Sequence, residues 1–427
     1  MKIHDKCSER LSTEVEKALG DITVHYGNYL AGSPEKVLRE LEKILPADPK
    51  FREEIESYVS DDPLADFILG ELGEELHSAR EFESDSPVIA LSALPEYQDL
   101  TAVSKRLIRS FCALPRTYKI TFKLGPSMER MALNGEFHFN PSIRLVRADD
   151  ELAGLFPMTT GNEIRDHTMF GGGLLTIPIV PKWDGMYIQV EVQGYIRRWV
   201  TTSPVDRAFS LVKSFVGLAI ATRAARLGRG LRQGTGSQRA FVHEQTGGGW
   251  KLIDAREVPE SLSTALHDFQ PVIFPDIHKT EEARVKYFVE RLKEIAAVLK
   301  GEEDNSRLLL AARWLFDSRL SREDLLAYVQ AMVSMEILLG DKAVSDLMGL
   351  GELLRNRCAY LIGRTHTERD ELLEDFRKIY EVRSRIVHGG KDKLSRKEFL
   401  ISAEPQPRKL EASRSRVSGL GSHWIIA

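Results

Sequence analysis

The sequence predicts a multidomain α+β chain: a helical N-terminal region, a β-rich middle module and a C-terminal all-α helical bundle. Three observations predict it. A length of 427 residues is long for one hydrophobic core and suits two or three. The apolar pattern changes from a period of about 3.6 to 2 after the helix expected over 102–112, so that roughly 100–200 reads as β-rich. Beyond residue 304 the apolar stripes are separated by short breaks at Gly340 and Gly363, the pattern of antiparallel neighbours in a bundle.

Residues 1–83 read as helical and acidic. The first expected helix spans 8–19. Ser33-Pro34-Glu35 sets a capping residue before a proline in a first turn, and that helix runs to Leu45, where Pro46-Ala-Asp-Pro49 ends it. Helices over 51–59 and 64–82 follow, then a linker over 83–95. The first hundred residues carry a net charge of −13, so the rest of the chain, against a total of −4, is basic by +9. A basic remainder permits nucleic-acid binding without requiring it.

The β-rich α+β module, expected over 100–300 with a sensor or regulatory role, opens with a helix over 102–112. Tyr118, Ile120, Phe122 and Leu124 then alternate as in a strand with one buried face. Asn134-Gly135 signals a hairpin between 131–133 and 136–139. Further strands are expected over 143–146, 174–180 and 186–200. Gly171-Gly-Gly173 marks a turn and lacks the Lys-Ser or Lys-Thr of a phosphate-cradling loop. A helix over 205–227 leads into a segment with five arginines and no acid, from Arg223 to Arg239. Arg226, Arg229 and Arg232 there are candidate RNA-backbone contacts, against the plainer reading of a solvated helix end and loop. A hairpin around Gly247-Gly-Gly249 and a helix over 281–299 complete the module.

The C-terminal module, 304–427, is expected to hold helices over 306–316, 322–339, 345–362 and 367–388. Residues 391–427 show little amphipathic period. Cys7, Cys112 and Cys358 are too scattered for a disulfide framework or a zinc site, and Cys358 reads as a core thiol. The isolated histidines have no ligand spacing, so neither a metal nor a cofactor is expected. No apolar run approaches a membrane span, and the expected compartment is the reducing cytoplasm.

Two charges interrupt the apolar stripes of this last module. In the final helix Leu372, Phe376, Ile379, Val382, Ile386 and Val387 share one arc, and Arg383 points near its middle. In the helix over 322–339, Glu336 sits among Leu325, Val329, Met332 and Leu339. Opposite charges on two buried-looking faces predict an ion pair that orients Arg383. His388 falls in the last turn, ahead of Gly389-Gly390 as a C-cap. An arginine that grips phosphate oxygens and a histidine that moves a proton suffice for metal-independent RNA cleavage.

The run Ile379-Tyr-Glu-Val-Arg383-Ser-Arg-Ile-Val-His388-Gly closely resembles the signature of HEPN domains, most of all their Apea-like branch. The likeness extends upstream through Met335-Glu336-Ile-Leu-Leu and Leu354-Arg-Asn-Arg-Cys-Ala-Tyr-Leu-Ile362, and covers about a fifth of the chain. It implies a HEPN-like bundle with a metal-independent endoribonuclease site at Arg383, Ser384 and His388, completed across a homodimer through the C-terminal bundle. Arg385 is a further candidate RNA contact. RNA as substrate, a bacterial defence or toxin-like role, and a protein trigger or antitoxin are likewise implied. After Gly390 the sequence departs from the family, whose members continue into another packed helix. Two other readings stay open: a non-catalytic HEPN dimerisation or RNA-binding module in an interaction or sensor protein, and a scaffold that docks partners on its acidic N-terminal helices.

Overall fold

The computed structural model describes residues 3–31, 34–129, 131, 135–158, 165–170, 173–178, 183–198, 200, 202–228, 238–274, 279–301, 305–390, 393–395 and 398. The fold is mixed α/β with a helical C-terminal region, and among the described residues no helix is long and apolar enough to cross a membrane.

The N-terminal unit contains α1 (Asp5–Gly20), β1 (Thr23–His25), β2 (Tyr29–Ala31), α2 (Pro34–Arg39), α3 (Pro49–Tyr58), α4 (Pro63–Ala79), β3 (Ile89–Ala90) and α5 (Leu100–Cys112). The expected linker over 83–95 thus includes β3, which pairs with β1 beside β2 in a small antiparallel sheet. The core of this unit reaches past residue 83, because α5 buries Val103, Leu107, Ile108 and Phe111 against it. Tyr195 of the middle unit is also buried in this core, and its hydroxyl donates to the Phe67 carbonyl at 3.1 Å.

The middle unit contains β4 (Arg116–Lys123), β5 (Glu136–His138), β6 (Ile143–Arg147), α6 (Asp150–Leu155), β7 (Arg165–Phe170), β8 (Gly173–Pro178) and β9 (Met186–Gly194). It continues with α7 (Ser203–Ala221), β10 (Ala225–Leu227), β11 (Arg239–Thr246), β12 (Gly249–Glu257), α8 (Glu260–His267), β13 (Phe269–Pro271) and α9 (Glu281–Lys300). Six strands form one antiparallel sheet in the order β12-β11-β4-β9-β6-β5. Tyr118, Ile120 and Phe122 lie opposite Val192, Val190 and Ile188, and this face packs on the Val212, Phe215 and Ala219 side of α7. The other face is polar yet also covered. Gln189, fully buried, donates to Thr121 Oγ1 at 3.1 Å and accepts from Arg144 at 2.9 and 2.7 Å, so its amide is satisfied without water.

One expectation for this unit is corrected, and others fall outside the described residues. The helix over 205–227 stops at Ala221: Thr222 bonds back to the Leu218 carbonyl, Arg223 takes φ +58°, and β10 follows and pairs with β13. The hairpin partner of β5 is β6, and the turn is held by Asn140 Oδ1, which accepts from the amides of Ser142 and Ile143. Asn134 and the expected strand residues Ala132 and Leu133 lie outside the described residues, as do Gly171, Gly172, Arg229 and Arg232.

The C-terminal unit contains α10 (Ser306–Leu320), α11 (Asp324–Leu339), α12 (Lys342–Met348), α13 (Leu350–Ile362) and α14 (His366–Val387). The helix expected over 345–362 is broken at Gly349, which takes φ +83°. Helix α10, expected in the bundle, also belongs to the middle core: its Leu309, Ala312 and Phe316 pack with α7. On its other side, Ser334 and Ser318 hydroxyls tie α10 and α11 together through the carbonyls of Ala311 and Ala327, at 2.8 and 2.7 Å. The first described residues after Gly390 return to the bundle, where Leu394 packs on its core.

Two predictions follow from this packing. A Cβ at Gly217 would stand 1.9 Å from the Ala312 carbonyl oxygen, so Gly217→Val forces α7 and α10 apart. Overpacking of this kind costs about 1–3 kcal/mol, read as a lower midpoint in urea unfolding. His243 is fully buried on β11, donates from Nε2 to the Pro157 carbonyl at 3.1 Å, and leaves Nδ1 unpaired. Burial pushes its pKa down from 6.5 to about 4, so the folded state holds it neutral where the unfolded chain is protonated. Its contribution is fully present above pH 6.5 and falls away as the pH drops toward 4, by about 3 kcal/mol in all. Stability measured at pH 7 and pH 4.5 should converge in His243→Leu relative to the parent chain.

Candidate functional site

Helix α14 begins with a full capping box: Thr365 Oγ1 accepts from the Glu368 amide, and the Glu368 carboxylate accepts from the Thr365 amide. Buried Phe376 and Val382 dock it, and the Tyr328 hydroxyl on α11 donates to the Ile379 carbonyl at 2.8 Å. Burial raises the pKa of that phenol, which keeps it a donor. The helix ends in a Schellman turn. Gly389 takes φ +74°, its amide donates to Ile386, and the Gly390 amide donates to Arg385 at 2.8 Å. That closure sets His388 as the C-cap residue, exposed at the tip of the helix.

The structure brings Arg383 and Glu336 together. Arg383 Nε lies 3.1 Å from Glu336 Oε1, and Nη2 donates to Oε2 at 3.4 Å. The side chains are 23% and 16% exposed, enough burial for each charge to depend on the other. The Arg383 guanidinium also lies 5.8 Å from the Tyr380 ring centroid, and Tyr380 packs so closely on α13 that a Cβ at Gly351 would be 2.8 Å from its ring. Three elements therefore hold one guanidinium: α11 through a carboxylate, α13 through the seat under Tyr380, and α14 itself. The contact runs along the Nε–Nη2 edge with one hydrogen bond, Nη2 to Oε2, while Nε and Oε1 stand in ion-pair range without hydrogen-bond geometry. Both protons of Nη1 and the outer proton of Nη2 have no hydrogen-bond partner among the described residues.

Ser384 is half-buried, and its hydroxyl makes no hydrogen bond among the described residues. The His388 imidazole likewise has no hydrogen bond or ion pair there, although its amide donates to the Ser384 carbonyl at 3.0 Å. Arg383 turns toward α11, and five residues on an ideal helix set His388 about 140° further round. Arg385 is exposed and lies 3.8 Å from Glu398, which anchors the chain after Gly390. Arg226 is exposed on β10 of the middle unit, whose neighbours are β13 and α7, and among the described residues it makes no hydrogen bond or ion pair with α14. Arg229 and Arg232 are outside the described residues.

Tyr380, Gly351 and Tyr328 were missed by reasoning from the sequence. Tyr380 carried a usable signal, since it lies three residues before Arg383 and shares its helix face. Gly351 and Tyr328 carried none, because their roles depend on how α11 and α13 cross α14. Cys358 is 4% exposed in the bundle core, where burial pushes its thiol up to about 11, the core role expected of it. Among the described residues no group of three or more His, Cys, Asp or Glu side chains could hold a metal ion. Comparison with family models, curated proteins and solved structures gives no match for this chain.

The pair can be weighed by a mutant cycle. Glu336→Met leaves Arg383 half-buried without its counter-charge and should cost about 1–3 kcal/mol in urea unfolding. Arg383→Met should cost a similar amount. The double variant should recover most of the loss, because two thioethers fill the space with no charge to desolvate. Strictly additive losses would mean that the two side chains do not interact.

Proposed function

We propose that the C-terminal bundle is a metal-independent endoribonuclease of HEPN type, with Arg383, Ser384 and His388 as its site. One observation carries the reading: a guanidinium is held from one side by Glu336 and Tyr380 while the donors on its other edge have no partner among the described residues. A fork of that shape fits two non-bridging phosphate oxygens. In the reaction, a base takes the ribose 2′-hydroxyl proton and the 2′-oxygen attacks its own phosphate. The 5′-oxygen then leaves with a proton from an acid, and a 2′,3′-cyclic phosphate remains. His388, exposed and unencumbered, serves as base in one copy and acid in another. Arg383 steadies the charge on phosphorus, and Ser384, one helical turn before His388, orients the scissile group.

The angle between Arg383 and His388 on one helix supports a site completed by a second copy, so a homodimer is part of the proposal. RNA is the proposed substrate, and Arg385 and Arg226 are proposed backbone contacts. A cytoplasmic setting and a defence or toxin-like role, released by a protein trigger through the upstream units, complete it by analogy with the family that the motif resembles.

The in-chain ion pair of Arg383 favours a second reading, a non-catalytic dimerisation or RNA-binding module in which the pair is architectural. One assay separates the two. Labelled mixed-sequence RNA is incubated in EDTA with the full chain, with His388→Ala and with Arg383→Lys, which keeps the charge beside Glu336 but loses the fork. The nuclease reading expects chelator-resistant cleavage with cyclic-phosphate ends, reduced about 10²–10⁴-fold by His388→Ala. RNA that is bound but uncut by every form supports the binding module instead.

A further inference from the structure

The N-terminal unit carries an aromatic surface that neither its own core nor the α14 site uses. Strands β1 and β2 are joined through Tyr26, Gly27 and Asn28, and both Tyr26 and Gly27 have positive φ, at +54° and +77°. A bulky residue is disfavoured in that region, and it persists only where its surroundings hold it. Here the conformation stacks the Tyr26 ring on His25, with centroids 3.7 Å apart. Tyr29 and Phe82 extend the cluster: Phe82 lies 5.2 Å from Tyr26 and 6.0 Å from Tyr29, the latter edge-on at 88°. Tyr26, Tyr29 and Phe82 are 36%, 38% and 57% exposed, so the rings form an open platform rather than a core.

The platform is built rather than loose. The Glu83 amide donates to the Tyr26 carbonyl at 3.0 Å, and Asn28 Nδ2 donates to the Arg80 carbonyl at 3.2 Å, which pins the irregular segment carrying Phe82 to the turn. Carboxylates flank it. Glu81 and Glu83, on either side of Phe82 in the chain, are exposed, and the Glu83 carboxyl carbon lies 3.9 Å from where a Gly27 Cβ would be. Arg80 is the only Lys or Arg between residues 53 and 104, and it is already paired with Glu96 at 2.9 Å.

Aromatic faces and carboxylates both attract cations. The same carboxylates repel nucleic-acid phosphates and anionic lipid, and a single-strand platform would need cations beside its rings. Of the two cationic side chains, arginine stacks flat on a ring and lysine does not. We propose that this platform docks an arginine-rich segment of a partner protein, with guanidinium planes on the rings of Tyr26, Tyr29 and Phe82 and the charge met by Glu81 and Glu83.

The test uses the full chain and a fluorescein-labelled peptide of alternating arginine and glycine, with binding read by anisotropy at low and physiological salt. The expected results are saturable binding, a loss of about tenfold in Tyr29→Ser/Phe82→Ser and in Glu83→Lys, and several-fold weaker binding of the matching lysine–glycine peptide. Because the substituted side chains are exposed, circular dichroism should be unchanged. The arginine–lysine comparison needs no variant at all. No binding, equal binding of the two peptides, or undiminished binding after loss of both rings overturns the proposal. So does binding of labelled oligouridine that is lost in Tyr29→Ser/Phe82→Ser, which would make the platform a nucleic-acid surface.

Discussion

Two helix backbones in contact hold the parts of this protein together. Gly217 on α7 faces the Ala312 carbonyl on α10 at a distance that leaves no room for a side chain, and the buried Ser214 hydroxyl donates to the Leu309 carbonyl at 3.1 Å. Helix α7 is the layer on which the six-stranded sheet rests, and α10 is the helix to which α11 is laced by two serines. The sheet and the bundle are thus connected through one shared helix. A change in the middle unit that moves α7 has a direct mechanical path to α11, and α11 carries Glu336.

That path ends at a charge whose placement only a partner can sustain. Arg383 sits in an apolar arc, where an unpaired guanidinium would be driven out toward water. Glu336 prevents this from a different helix, and Tyr380 lies beside it over Gly351. The orientation of the arginine is therefore set by the crossing of α11, α13 and α14, while His388 is set by a local feature, the Schellman closure at Gly389-Gly390. The first depends on tertiary packing and the second does not, which makes the geometry between them sensitive to bundle arrangement.

Much was legible in the sequence. The 3.6-residue stripe located α14, and the single charge within it, matched by one of opposite sign on α11, named the ion pair in advance. Period-two alternation from Tyr118 to Leu124 located the central strand, and all four residues are fully buried. The glycine pair after His388 announced the end of its helix. Illegible features share a cause: their signals are not local. Leu309, Ala312 and Phe316 look like any bundle stripe, yet they serve the middle core. The stop of α7 at Ala221 has no proline or glycine to mark it, because the pull comes from β13, which pairs with the residues that follow. The buried polar face of the sheet reads as a solvated one until Phe156 and Trp183 are seen to cover it.

The sequence by itself determined the order of helical, β-rich and helical units, the ends of most helices, and which charged residues were out of place, because backbone period and capping chemistry act over a few neighbouring residues. Tertiary structure alone decided that α10 serves two cores, that Arg383 is gripped on one edge and left open on the other, and that Tyr26, Tyr29 and Phe82 meet on one surface. Those outcomes depend on close packing between segments far apart in the chain, where approaches of a few ångströms, as at Gly217 and Gly351, select one arrangement from many that the same local patterns allow.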